Sequence, residues 1–196
     1  MILHVETHER EKYAKQLRSY FRLRKKVFVD QLRWVETTDG DIEFDELDVF
    51  PCTYTLYVDK NDEVLAGARL IPTTQMTLLE RWFPELLPED MSFKSPTIWE
   101  SSRYCIDGVR SGKKLSSGAK RANLAINIGN LDYALRVGIT EFITVVEYRL
   151  FAMSNTFGMG GQILSEWEYD GMRVVCVMIS ITEENKALAD KMRVFL

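Results

Sequence analysis

A short apolar alternation at residues 1–6 predicts a first strand. From Thr7 or His8 to about Arg33, apolar residues recur at helical spacing and predict one or two helices, with Leu17, Tyr20, Phe21, Leu23, Val27 and Phe28 inward and Trp34 ending the run. Residues 35–49 show no period, carry the acidic run TTDGDIEFDELD, and read as a loop or lid. Two β-rich runs, Tyr54–Val58 and Val64–Ile71, flank DKNDE and predict a hairpin stopped by Pro72. TLLERWFPELL predicts a short helix ending near Pro84, followed by a connection punctuated by Pro88 and Pro96. Ile98–Ile106 then predicts a strand, and a helix follows from about Ala119 to Val137, with Gly138 as its stop. The remainder predicts a strand at Glu141–Glu147, a helix through Met153, and a glycine-rich turn at Gly158–Gly161. Two strands, Ile163–Tyr169 and Arg173–Ile179, then meet across Asp170-Gly171, before a terminal helix from Thr182. This alternation predicts an α/β fold, a three-layer α/β/α sandwich around a central mixed sheet.

The 196 residues, 46% of them hydrophobic, fit a single domain spanning 1–196 with a full core. A net charge of -4 and a pI near 5.4 argue against a nucleic-acid partner. The N-terminal residues lack the apolar core of a signal peptide, and no later stretch approaches the ~20 apolar residues of a membrane span. A cytoplasmic chain without a membrane partner is expected, and a monomer is the default. Cys52, Cys105 and Cys176 are widely separated and lack CxxC spacing, so they read as core residues rather than a disulfide framework or zinc site. The only two histidines, His4 and His8, stand near the N-terminus, which disfavours His-based triads and His-ligated metals. No metal and no cofactor are expected.

Charges set among apolar residues change this picture most. Arg24 lies in FRLRKKVFVDQLRW, Asp45 and Asp48 in FDELDVF, Arg69 in AGARLIPT, and Glu100 and Arg103 in IWESSRYC. A charge inside a strand-like apolar run must be paired or functional, because an unpaired buried ion costs several kcal/mol. Asp45 and Asp48 share one side if their segment makes a helical turn, and Arg24 and Arg69 are their natural counter-ions. Asp39, Asp41 and Glu43 read as a solvated acidic face. Glu100 and Arg103 point to opposite faces of a regular strand, so a bulge near Ser101–Arg103 is expected. The aromatic faces of Phe28 and Trp34 suit an adenine or a sulfonium. Between Asp107 and Asp132 there is no acid, but Arg110, Lys113, Lys114, Lys120 and Arg121 are present, with glycines before a helix N-terminus. That arrangement suits a phosphate-bearing group.

In order and spacing, Arg24, Phe28, Trp34, Asp45, Asp48, Arg69, Glu100 and Arg103 resemble the signature of the acyl-homoserine-lactone synthases, the makers of quorum-sensing autoinducers. The matching segments run from about residue 22 to 106. The resemblance implies a fold like that of the Gcn5-related N-acetyltransferases, with a splayed strand exposing a backbone amide to the acyl carbonyl. It implies transfer of an acyl group from acyl carrier protein or acyl-coenzyme A to the α-amine of S-adenosylmethionine, then lactonisation with loss of methylthioadenosine. S-adenosylmethionine is then a substrate, Phe28 and Trp34 bind it, and Arg24, Asp45, Asp48, Arg69 and Arg103 hold it curled, with Glu100 as candidate base. Ser101, Thr144 and Met153 are the acyl-pocket candidates, with Thr144 first and Thr140 second for the threonine that the resemblance links to a 3-oxo group; the basic residues Arg110, Lys113, Lys114, Lys120 and Arg121 would meet the donor's carrier. The rival readings are a general acetyl-coenzyme-A N-acetyltransferase, which leaves Trp34, Asp45 and Asp48 without a role, and a non-catalytic sensor.

Overall fold

The structure is a computed structural model describing residues 1–36, 40–87, 91–108, 116–156, 158, 160–169 and 171–196. Its strands are β1 (Ile2–Glu6), β2 (Thr53–Val58), β3 (Val64–Pro72), β4 (Ile98–Ile106), β5 (Glu141–Glu147), β6 (Gln162–Tyr169) and β7 (Met172–Ser180). The α-helices are α1 (Ala14–Arg24), α2 (Leu78–Trp82), α3 (Ser117–Val137), α4 (Tyr148–Thr156) and α5 (Glu183–Met192). The strands form one seven-stranded sheet in the order β1-β2-β3-β4-β5-β7-β6. It is mixed: β4 and β5 run parallel, while β1/β2, β5/β7 and β6/β7 are antiparallel. No described helix is long and apolar enough to cross a membrane.

The chain divides into two compact units, Met1–Arg69 with Arg103–Gly129, and Leu70–Ser102 with Asn130–Leu196. In the first, α1 buries Leu17, Tyr20, Phe21 and Leu23 at helical spacing, and Arg24 with them. The helix then widens: Lys25–Gln31 is a π-helical stretch, in which Leu32 N–H bonds the carbonyl of Val27 at 2.9 Å, five residues back. Widening buries Val27, Phe28 and Val29 consecutively, which a regular helix could not do on one face. Gly67 in β3 is required by packing, since a Cβ there would stand 2.5 Å from the Tyr20 ring.

In the second unit, Leu70, Tyr133, Ala134, Ile139 and Phe142 form a core cluster with Trp99 packed against it. Helix α3 ends where expected, at Gly138, whose φ of 81° a side chain would resist and whose N–H bonds the carbonyl of Ala134. Helix α2 is short, with Thr77 and Glu80 forming a reciprocal cap. The β4/β5 ladder pairs Ile98, Trp99 and Glu100 with Glu141, Phe142 and Ile143.

Candidate active site

Among the described residues, six charges gather in the first unit, four of them buried and two, Asp45 and Arg103, nearly so. The Arg24 guanidinium donates to both oxygens of Asp48 at 2.9 and 2.8 Å, to Glu43 through Nε at 2.5 Å, and to Asp45 at 3.4 Å. Arg69 pairs with Asp45 at 2.5 Å and Asp48 at 2.9 Å. Arg103 pairs with Glu43 at 3.2 Å and Asp45 at 2.8 Å. Arg24, Asp48 and Arg69 are fully inaccessible to solvent, and Glu43 is 1% exposed. Three cations face three anions, so the cluster is neutral as a whole, the condition under which buried ions are tolerable.

Local structure explains how the acids reach it. Asp45 caps a 3-10 turn, Glu46–Val49, by accepting from Leu47 N–H, while the Asp48 carboxylate accepts from Asp45 N–H at 2.8 Å. The two acids therefore cap each other's backbone and share a side, the arrangement expected of them. Asp48 also accepts from the Tyr54 hydroxyl at 2.9 Å. Arg10 binds the far side of the same turn, donating to the carbonyls of Asp48 at 2.8 Å and Phe50 at 3.1 Å and to Cys52 Sγ at 3.0 Å.

Charge state follows from these partners. Burial works against ionised Asp48, but Arg24 and Arg69 outweigh it and hold its carboxyl well below the usual carboxylate range. Burial likewise works against the Arg24 cation, and Asp48 and Glu43 reverse it, raising its pKa. For Arg103 burial dominates and lowers the pKa, with Glu43 opposing. Burial pushes the Tyr20 and Tyr54 hydroxyls up, so both act as neutral donors.

Glu43 is a correction to the sequence reading: assigned to a solvated face, it is the third acid of the cluster. Asp41 does stay exposed, paired with Arg18 and Arg22. In the stretch where a bulge is expected, Arg103 departs from regular strand backbone, with a left-handed φ of 51° inside β4. Its carbonyl receives the Tyr20 hydroxyl at 2.8 Å, and its guanidinium lies 5.5 Å from the Phe28 ring. Phe28 and Trp34 stack at 6.3 Å between ring centroids. Phe28 is thus buried against both Trp34 and the cation.

Glu100 lies in the second unit and has a different kind of partner. Its two oxygens accept the Leu78 and Leu79 backbone N–H groups at 2.9 and 2.7 Å, at the start of α2. There it satisfies donors that a helix start leaves open. Ser101, Thr144 and Met153 are all buried in this unit, and the Thr144 hydroxyl donates to the Ser101 carbonyl at 2.7 Å. Lys120 and Arg121 stand exposed in the first turn of α3; Arg110, Lys113 and Lys114 lie outside the described residues.

With this geometry in place, the autoinducer synthase family model matches residues 8–188. The chain belongs to the autoinducer synthase family. A probable acyl-homoserine-lactone synthase of Sinorhizobium fredii is 33% identical over 69% of this chain and 65% of its own length. The chain thus spans just under two thirds of that relative. An acyl-homoserine-lactone synthase of Agrobacterium fabrum is 30% identical over 76% of this chain and 70% of its own. Among solved structures, TofI in a ternary complex with an inhibitor and MTA matches at a TM-score of 0.79 and 28% identity, covering 97% of this chain and 96% of that one. The fold is shared more widely, as an N-acetyltransferase-like structure from Lactobacillus plantarum matches at a TM-score of 0.56 and 17% identity, over 92% and 99% of the two chains. The α/β fold thus resembles that of an N-acetyltransferase-like structure, as expected.

Proposed function

We propose that the protein makes an N-acyl-L-homoserine lactone from S-adenosylmethionine and an acyl thioester. The observation carrying this reading is the neutral ionic set of Arg24, Arg69, Arg103, Glu43, Asp45 and Asp48, in which the buried members fix Asp45 and Arg103, and these two, partly exposed, offer an acceptor for an α-ammonium group and a donor for a carboxylate. The relative TofI, crystallised with MTA, supports S-adenosylmethionine as the amine, since methylthioadenosine is what that substrate leaves behind.

In the first step the α-amine attacks the thioester carbonyl, a C–N bond forms, the C–S bond breaks, and the amine's proton leaves with the carrier thiolate. In the second, the substrate's carboxylate attacks its own γ-carbon, and the sulfonium departs as methylthioadenosine. Neither step changes an oxidation state, so we assign no cofactor. The α-amine titrates near ~8, so modest help suffices to free its lone pair. Two N–H bonds from α2 fix the Glu100 carboxylate, and a carboxylate held in this way still has lone pairs with which to act as a base, directly or through water. The distorted backbone around Arg103 supports an exposed amide facing the acyl oxygen. Holding the substrate curled is the main demand of lactonisation, and the ionic cluster meets it. The donor is acyl carrier protein or acyl-coenzyme A, both ending in a phosphopantetheine arm, for which Lys120 and Arg121 offer local positive charge.

Mass spectrometry of products from purified protein, S-adenosylmethionine and a panel of both donor types tests this. An acyl-homoserine lactone formed with methylthioadenosine is expected. Acylation of a different amine with S-adenosylmethionine untouched would show a general N-acyltransferase instead, and no product would favour a sensor.

A further inference from the structure

We propose that Tyr20 is a positioning residue of the site, holding Arg103 in the backbone conformation that aims its guanidinium at the substrate. This rests on the reading above that S-adenosylmethionine is the amine, with Arg103 offering a donor to its carboxylate. A left-handed φ inside a strand, at a residue with a long side chain, persists only where the surroundings over-determine it. Two holds do so at Arg103, one at each end. The guanidinium is held by Glu43 at 3.2 Å and Asp45 at 2.8 Å, and the carbonyl accepts from the Tyr20 hydroxyl at 2.8 Å. The first hold is the one a substrate loosens, because an arriving carboxylate shares the guanidinium with Glu43 and Asp45. The second touches no substrate, and so keeps the backbone turned while the side chain changes partners.

Tyr20 is built as a fixed point for that hold. It stands one helical turn before Arg24 on α1 and is fully buried, with the Arg24 guanidinium 5.6 Å from its ring centroid. The rings of Tyr54 and Phe21 pack on it at 5.7 and 5.9 Å between centroids. Gly67 leaves the room the ring occupies, since a Cβ there would meet two of its carbons at 2.5 and 2.6 Å. Packing of this kind accounts for an aromatic ring, and phenylalanine would satisfy it. The hydroxyl needs a separate reason, because a buried O–H without an acceptor is costly, and its acceptor here is the Arg103 carbonyl. Burial also pushes the Tyr20 hydroxyl up, so it stays protonated and remains a donor.

Tyr20→Phe keeps the ring, its fit against Gly67 and its contact with Arg24, and removes the donor alone. Calorimetric titration with S-adenosylmethionine gives the test, because it reads affinity and the number of competent sites separately. The variant is expected to bind about five- to tenfold more weakly than the unaltered protein, the scale of one hydrogen bond, at the same number of sites. In an Arg103→Lys background, where a single ammonium replaces the guanidinium, adding Tyr20→Phe is expected to weaken binding no further. A purely structural tyrosine would lower the number of sites and leave Kd alone, so an unchanged Kd would overturn the inference. An equal loss in both backgrounds would also overturn it, since Tyr20 would then not act through Arg103. Binding of S-adenosylmethionine without lactone from any donor would overturn the synthase reading alone, and no binding by the unaltered protein would overturn both.

Discussion

Arg24 grips both carboxylate oxygens of Asp48 in a two-point contact at 2.9 and 2.8 Å, with neither residue exposed to solvent. Parallel N–H···O bonds of this kind fix orientation as well as charge, so Asp48 in turn orients Tyr54, Arg69 and the Asp45 backbone.

Asp48→Asn should abolish lactone formation and lower unfolding stability by about 3–5 kcal/mol, because it strands Arg24 and Arg69 with two of their anionic contacts gone. The folded-state pKa of Asp48 lies below its unfolded value, so its contribution is complete above about pH 4 and is lost as pH falls through the folded value. The variant should therefore lose part of the acid limb of the stability profile, measurable by chemical denaturation between pH 2 and 7. An acid limb identical to that of the unaltered protein would argue against the pairing.

Glu43→Gln should cost activity on the scale of Asp45→Asn, since Glu43 meets both Arg24 and Arg103. Steady-state rates with saturating donor compare the two. A Glu43 variant with ordinary turnover would return that residue to the surface role its acidic neighbours suggest.

For Glu100→Gln, an amide oxygen can accept from only one of the Leu78 and Leu79 N–H groups without turning an NH₂ toward the other. Stability should fall by about 1–3 kcal/mol, with faster hydrogen exchange confined to the start of α2. Were Glu100 the base alone, the variant would fold as well as the unaltered protein and be slow only in turnover.

Arg10→Met removes the bonds that hold the carbonyls of Asp48 and Phe50. The KM for S-adenosylmethionine should rise by about tenfold, roughly 1.4 kcal/mol, with the KM for the donor unchanged and partial recovery in Arg10→Lys. Equal changes in both KM values would mark a general loss of folding.

Much of the secondary structure is legible along the chain, because α1 buries a helical stripe and β2, β3 and β7 are nearly continuous buried runs. The π-helical stretch after Arg24 was not, since burying Val27, Phe28 and Val29 together fits neither period. Arg24, Asp45, Asp48, Arg69 and Arg103 stand out because each is a charge within apolar sequence. Glu43 is hidden by the acids around it, yet it stands two residues before Asp45, whose backbone is extended. In such backbone both side chains leave the same face. Phe44, between them, is 44% exposed and packs on Phe21 at 5.2 Å. The two N–H bonds of Glu100 depend on where α2 begins in space, which spacing along the chain does not encode.

Arg103 sits where its backbone and its side chain make opposing demands. At a φ of 51°, glycine would suit the chain better by roughly 1–2 kcal/mol, but only a guanidinium can answer Glu43 and Asp45 together. The position has no single-residue compromise: lysine keeps the strain and loses the fork, and glycine relaxes the strand and leaves two acids facing each other. The ion pairs of Arg103 thus offset a local backbone cost in β4, and neutralising both acids should let that residue relax toward an extended conformation.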